Sequence, residues 1–267
     1  MRELTLPGRL ILLPGLGSTA AVFDRQRKAF GDRLETPDFI PHQHGESVAA
    51  YAQRWARQLS RPGDKRPVFL GGVSFGGMLA QEMAMYLEPK PRVVMLIAST
   101  REPEQVTGVM QFAELMGRYV PTGSVTPALK ALKLAFAMRD GLDDDGKKIL
   151  LSAADQVDPA MTKWGASAAV GWSGFEPPAG YPPITQIHSR RDWVIKPPAE
   201  APGVHLVEGY SHQLLMCSRT TINRFIFDSI MQVCPELAVD TPAIEDPETT
   251  AQRRLALEGA PAGTPLV

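Results

Sequence analysis

The stretch Gly71-Gly72-Val73-Ser74-Phe75-Gly76-Gly77 places a serine between an apolar run and a run of strong helix formers. Residues 67–70 predict a buried strand before it, and residues 78–85 favour a helix after it. At such a junction the serine lies on a sharp turn, where glycines at positions 72 and 76 avoid clashes with the facing backbone. Ser74 is therefore a candidate nucleophile at a helix N-terminus, where negative charge is favoured.

The composition indicates a globular protein with a sizeable core and argues against a nucleic-acid partner. The chain has 267 residues, 44% of them hydrophobic, and a net charge of −1, so it lacks the basic surface typical of nucleic-acid binding. Cys217 and Cys234 would lie about 25 Å apart on one helix, so we expect reduced thiols and a cytoplasmic protein. No segment approaches the length of a membrane span.

The order of apolar patterns predicts alternating strands and helices. Strands are expected over 9–13, 36–40, 68–73 and 92–98, and the first helices over 20–30 and 47–59. This alternation is typical of a mostly parallel sheet with helices on both faces.

The alternation breaks after residue 101. Residues 102–178 show only helical patterns and predict a helical lid inserted between two strands. Strands are then expected over 184–188 and 204–207, followed by one long helix over 213–233. We therefore expect a core formed by residues 1–101 and 179–234, and a disordered tail over 235–267 with a helical turn near 251–258.

From about residue 8 to 234 the chain resembles an α/β-hydrolase-fold protein. Besides the serine turn, the segment Ile187–Ile195 is similar to the family's strand end that carries the acid, here Asp192. The segment Glu208–His212 is similar to the turn that carries the histidine, here His212. The chain order serine, aspartate, histidine is also the order in that family.

The resemblance implies a role for each of these residues. His212 would take the proton of Ser74, and Asp192 would orient the histidine and stabilise its charged form. The backbone N–H groups of Leu16 and Phe75 would form the oxyanion hole. The chain has Pro14-Gly15 where the family often has His-Gly, which keeps the backbone donor but lacks the histidine side chain.

Other residues could take the same roles. His42, His44, His188 and His205 are alternatives for the base, although a solvated loop or packing inside a strand explains them better. Asp155 and Asp158 are alternatives for the acid, although helix capping suits them better, since Asp158 precedes a proline.

The sequence thus predicts a serine hydrolase that cleaves a small carboxylic ester or thioester through an acyl-enzyme. Two alternatives stay open: a C–C bond hydrolase or lyase with the same residues, and a receptor-like binding protein with little turnover. Apolar residues of the lid, expected to favour a small or medium apolar group, are Met110, Phe112, Met116, Tyr119 and Phe136. No metal-ligand spacing or dinucleotide fingerprint is present, so no cofactor is implied.

Overall fold

The computed structural model describes residues 8–235, without the side chains of Val109, Phe112, Ala113, Leu115, Met116, Arg118 and Cys217. Within that range six strands form one sheet: β1 (Arg9–Leu13), β2 (Leu34–Glu35), β3 (Val68–Val73), β4 (Pro91–Ile97), β5 (Ile184–Ser189) and β6 (Val204–Val207). Their order is β2-β1-β3-β4-β5-β6, and every pair is parallel. The carboxyl ends of the strands therefore meet at one edge, where open α/β sheets bind ligands.

The helices follow in chain order after a short 3₁₀ turn at Ala20–Phe23. They are α1 (Asp24–Phe30), α2 (Val48–Leu59), α3 (Phe75–Met83), α4 (Gly108–Tyr119), α5 (Thr122–Arg139), α6 (Asp144–Asp155), α7 (Pro159–Val170), α8 (Leu214–Cys217) and α9 (Arg219–Val233). Within the described residues, none is long and apolar enough to cross a membrane.

Alternate residues of the central strands build two separate cores. Leu10 and Leu12 of β1 pack into a cluster that includes α9, whereas Ile11 and Leu13 pack into the cluster that includes α2 and α3. All four side chains are fully buried, as expected for a parallel strand covered on both faces. The prediction of a mostly parallel sheet with helices on both faces is confirmed.

The helical insertion is also confirmed, since α4 to α7 follow β4 and precede β5. Polar side chains set where two of these helices begin. The Asp143 carboxylate accepts a hydrogen bond from the Gly146 N–H at 2.7 Å, and the Asp158 carboxylate accepts one from the Ala160 N–H at 2.8 Å.

Two predicted elements differ in the structure. The strand expected over 36–40 is instead β2 at Leu34–Glu35, because Pro37 has no N–H to continue the ladder. The single helix expected over 213–233 is divided at Ser218, whose φ of −136° is not helical. The predicted disordered tail lies outside the described residues, apart from its first residue.

Candidate active site

Ser74 lies at the turn between β3 and α3 in a strained backbone conformation. Its φ of 52° and ψ of −121° are unusual for a residue with a Cβ. The Ser74 N–H donates to the Ile97 carbonyl at 2.9 Å, and the Ser99 hydroxyl donates to the Ser74 carbonyl at 2.7 Å. These contacts from β4 and the loop that follows it hold the serine in the turn.

The turn depends on glycine at two positions, as the sequence predicts. A Cβ on Gly72 would lie 2.2 Å from the Gly76 carbonyl oxygen, and a Cβ on Gly76 would lie 2.4 Å from the carbonyl oxygens of Leu13 and Pro14. All of these partners are backbone atoms that cannot move aside by rotation of a side chain. The close approach of α3 to β1 and β3 therefore requires both glycines.

The structure brings Ser74, His212 and Asp192 together. The His212 Nε2 atom lies 3.1 Å from the Ser74 Oγ, and its Nδ1 lies 2.8 Å from the Asp192 Oδ2. In the tautomer that fits both contacts, Nδ1–H donates to the carboxylate and Nε2 accepts from the hydroxyl. The three residues follow β3, β5 and β6, which all end at the same edge of the sheet.

The Asp192 carboxylate is buried and surrounded by donors. Its Oδ1 accepts from the Val194 and Ile195 N–H groups at 2.9 and 3.0 Å. Burial alone would raise the pKa of Asp192, but the charge of His212 and hydrogen bonds from His188 and His212 more than offset this and lower it. Asp192 therefore stays ionised and can orient His212.

His188 is a contact that sequence reasoning missed, since its strand position indicated only packing. Its side chain is fully buried, and its Nε2 lies 3.0 Å from the Asp192 Oδ2 and 3.1 Å from the Ile195 carbonyl oxygen. Both neighbours are acceptors, so Nε2 carries a proton and donates to them. His188 lies four residues before Asp192, at the end of the same strand. That short spacing was the feature of the sequence that could have indicated the contact.

The turn that carries His212 is held by neighbouring elements. The Gln213 N–H donates to the Asp140 carboxylate at the end of α5 at 3.2 Å. Burial lowers the pKa of His212, but the Asp192 charge and hydrogen bond outweigh it, so the pKa of His212 is raised above its ordinary 6.5. Because only neutral His212 can take a proton, it acts as a base once the pH rises above that pKa.

A cavity of about 470 Å³ lies beside Ser74 and His212. Its volume falls within the range of small-molecule sites. Met110 and Phe136, two of the predicted pocket residues, line it, and so does Leu16. The prediction for Tyr119 is wrong, because this residue ends α4 with 80% of its surface exposed and does not line the cavity. The side chain of Met116 lies outside the described part.

Three of the alternative candidates are engaged elsewhere. The His42 ring stacks on Trp164 with 5.4 Å between ring centroids. Asp155 pairs with Lys130, and Asp158 caps α7. Among residues 8–235, no three His, Cys, Asp or Glu side chains cluster as metal ligands would.

The two segments that carry the predicted oxyanion donors lie next to the serine. Phe75 is the first residue of α3, so its own N–H has no acceptor within the helix. The loop of Leu16 passes close by, since a Cβ on Gly15 would lie 3.5 Å from the Cβ of Ser74. Phe75 thus follows Ser74 directly, and the loop that carries Leu16 lies against the Ser74 side chain.

Solved structures with the same fold come from several kinds of hydrolase. They include a thermophilic esterase from Thermogutta terrifontis (16% identity, TM-score 0.60, covering 87% of this chain and 92% of that one). The enol-lactonase from Burkholderia xenovorans LB400 is similar at 16% identity and a TM-score of 0.61, over 84% and 92% of the two chains. A variant of the N-acyl homoserine lactonase AidH is similar at 15% identity and a TM-score of 0.62, over 91% and 94%.

At these identities the likeness shows the fold alone. A comparison with curated protein sequences found no match. A family model described as "Alpha/beta hydrolase family" matches residues 10–251, which is most of the sequence. The chain therefore belongs to the alpha/beta hydrolase family.

Proposed function

We propose that this protein is a serine hydrolase that cleaves carboxylic esters or thioesters through an acyl-enzyme. The observation that carries the proposal is the continuous hydrogen-bonded array from Ser74 through His212 to Asp192, open to an apolar cavity. A serine hydroxyl is a weak nucleophile unless a base within hydrogen-bond distance takes its proton. The 3.1 Å between Ser74 Oγ and His212 Nε2 meets that requirement.

Acylation begins when the Ser74 Oγ attacks the carbonyl carbon of the substrate and its proton passes to the His212 Nε2. The carbonyl oxygen becomes an oxyanion, which the N–H groups of Leu16 and Phe75 stabilise. Asp192 stabilises the imidazolium that forms. The intermediate then collapses, His212 gives its proton to the leaving alcohol or thiol, and the acyl group stays on Ser74.

Deacylation repeats these steps with water as the nucleophile. His212 takes a proton from water, and the resulting hydroxide attacks the acyl carbon. The second tetrahedral intermediate uses the same oxyanion donors. Its collapse releases the carboxylic acid and returns the proton from His212 to the Ser74 Oγ, so the enzyme is restored.

Labelling with a fluorophosphonate tests whether Ser74 is an activated nucleophile. We expect the wild type to be labelled at Ser74 and the Ser74→Ala variant to be unlabelled, because the reagent forms a covalent bond only with an activated serine. Ser152→Ala is the matched control and should be labelled like the wild type, since Ser152 is an exposed residue of α6 whose hydroxyl donates to the Ile149 carbonyl of the same helix at 3.0 Å. No labelling of the wild type, or equal labelling of Ser74→Ala, would contradict the proposal.

A panel of nitrophenyl esters and thioesters with acyl chains of about two to twelve carbons tests the bond that is cleaved. The cavity predicts the highest kcat/KM for short and medium chains. If every ester were inert while Ser74 was still labelled, C–C hydrolysis or lyase chemistry would replace ester hydrolysis. A receptor-like protein would instead bind such compounds without turnover.

The pH dependence follows from the pKa of His212. Only neutral His212 can accept the serine proton, and its pKa lies above 6.5. As the pH falls through that pKa the histidine becomes protonated, so kcat/KM should drop about tenfold per pH unit below it. Asp192→Asn removes the negative charge that raises the pKa of His212, so the midpoint of the pH profile should move to lower pH. A pH profile of kcat/KM for a neutral ester measures both; a midpoint that stays in place in Asp192→Asn would contradict the assignment.

A further inference from the structure

A lysine is buried in the wall of the apolar cavity. Lys133, in α5, is only 5% exposed and lines the same cavity as Ser74 and His212. Lysine side chains are almost never this buried without a partner of opposite charge. Apolar side chains make up most of the surrounding wall, among them Leu16, Val22, Val73, Val125, Leu129 and Phe136.

The ammonium group of Lys133 has more donors than the protein uses. Its Nζ donates to the Ser18 hydroxyl oxygen at 2.9 Å, and no carboxylate pairs with it among the described residues. An ammonium carries three N–H donors. Burial lowers the pKa of Lys133 to about 7, because the surroundings disfavour its charged form. The fold thus keeps a group that is costly to ionise in the wall of an apolar cavity.

Helix α5 places this cation next to the proposed oxyanion loop. Leu129, one turn before Lys133, packs on Gly17, where an added Cβ would lie 2.9 Å from the leucine Cδ1. Ser18, the partner of Lys133, follows Gly17 directly in the loop that carries Leu16. A ligand that contacts Lys133 therefore lies within the cavity that opens on Ser74.

We propose that Lys133, together with Ser18, binds a carboxylate of the substrate, so that the preferred ester carries a negative charge besides its apolar part. The inference rests on the proposed ester hydrolysis and names its substrate class. One ammonium and one hydroxyl suit a monoanion, whereas a phosphate dianion needs more donors in so apolar a site. A bound carboxylate would satisfy the remaining donors and offset the cost of burial.

Two other charged groups line the cavity, and both have partners within the protein. The Ser167 hydroxyl donates to the Glu114 carboxylate of α4 at 2.5 Å. The Lys163 Nζ of α7 donates to the Val120 carbonyl at 3.0 Å. Lys133 therefore differs from them, since its described partner is a single neutral hydroxyl.

Two pairs of esters, matched in shape, test the inference on either side of the scissile bond. The acyl-side pair is mono-4-nitrophenyl glutarate and the neutral 4-nitrophenyl 5-methylhexanoate. The alcohol-side pair is O-butyrylglycolate and the neutral isobutyl butyrate. In each pair a branched alkyl end replaces a carboxylate of similar shape, so the ratio of their kcat/KM values reports the contribution of the charge.

We expect the wild type to prefer the anionic ester in one of the two pairs by about tenfold or more, as a hydrogen bond to a charged group contributes. Lys133→Met should lower that ratio at least about tenfold, while Lys133→Arg should retain part of it. Because the ratio is taken within one variant, a loss of active protein cancels. Lys130→Met is the matched control, since Lys130 pairs with Asp155 at the surface of the same helix and should leave the ratio unchanged.

Preference for the neutral ester in both pairs, or a ratio unaffected by Lys133→Met, would overturn the inference while leaving ester hydrolysis intact. If the wild type hydrolysed neither these four esters nor any member of the nitrophenyl panel, the proposed function would fail, and calorimetry with the Ser74→Ala variant would decide the inference separately. In that case we expect Ser74→Ala to bind mono-4-nitrophenyl glutarate or O-butyrylglycolate, and the double variant Ser74→Ala/Lys133→Met to bind it at least about tenfold more weakly. Equal binding by the two variants would overturn it.

Discussion

Replacing His212 with alanine is expected to lower kcat for ester hydrolysis by about 10⁴- to 10⁶-fold, because a serine without its base remains protonated. The contact between His212 Nε2 and Ser74 Oγ has no substitute among the described residues. The residual rate would come from substrate binding and the oxyanion donors. Steady-state kinetics with the best ester of the panel, together with circular dichroism of the folded variant, would measure the effect.

His205→Ala is the matched control for this change. His205 lies in β6, the strand before the His212 turn, and its ring contacts Phe225 with 5.5 Å between centroids. We expect its kcat to stay within about twofold of the wild type, because its side chain makes no contact with the site. Retained activity in His212→Ala would mean that another residue is the base.

Replacing Gly76 with alanine is expected to destabilise the fold by about 3 kcal/mol or more, because the added methyl group would overlap backbone atoms. Its Cβ would lie 2.4 Å from the carbonyl oxygens of Leu13 and Pro14. To relieve that overlap α3 must move away from β1, which opens the core and displaces Ser74. Thermal unfolding followed by circular dichroism should show a fall in Tm of roughly 6–12 °C.

Gly123→Ala provides the comparison in a helix with open space. Gly123 lies in the first turn of α5, and a Cβ there would meet nothing within 4 Å. We expect an unchanged or slightly higher Tm, since alanine favours the helix by about 1 kcal/mol over glycine. If Gly76→Ala melted at the same temperature as Gly123→Ala, the result would contradict the close backbone packing that we describe at the serine turn.

The sheet could be predicted from the sequence because its strands have local signals. Most apolar side chains of β1, β3 and β4 are buried on both faces of the sheet, so short continuous apolar runs bounded by turn residues identify these strands. Element ends were harder to predict, since they depend on single backbone groups. Pro37 ends the pairing of β2 early, and the extended backbone at Ser218 divides the last helix, although the apolar spacing continues on both sides.

The site was predictable where motif and strand end coincide. Ser74, Asp192 and His212 each follow a strand, and the structure brings them within hydrogen-bond distance. Lys133 was missed, because a lysine on a helix usually faces water. Its position between Leu129 and Phe136, on the face that lines the cavity, was a signal in the sequence. Whether such a face meets solvent or a cavity depends on how α5 packs against loops that are far away in the sequence, such as the one that carries Ser18.

The wide separation of the site residues along the chain has a consequence for biosynthesis. Ser74 and His212 are 138 positions apart, and the strand that leads to the histidine is the last of the described sheet. A ribosome therefore completes the serine turn long before it delivers the histidine. Any product that ends before β6 would contain the serine without its partner. Premature termination or cleavage within this region should thus yield inert fragments rather than weakly active ones.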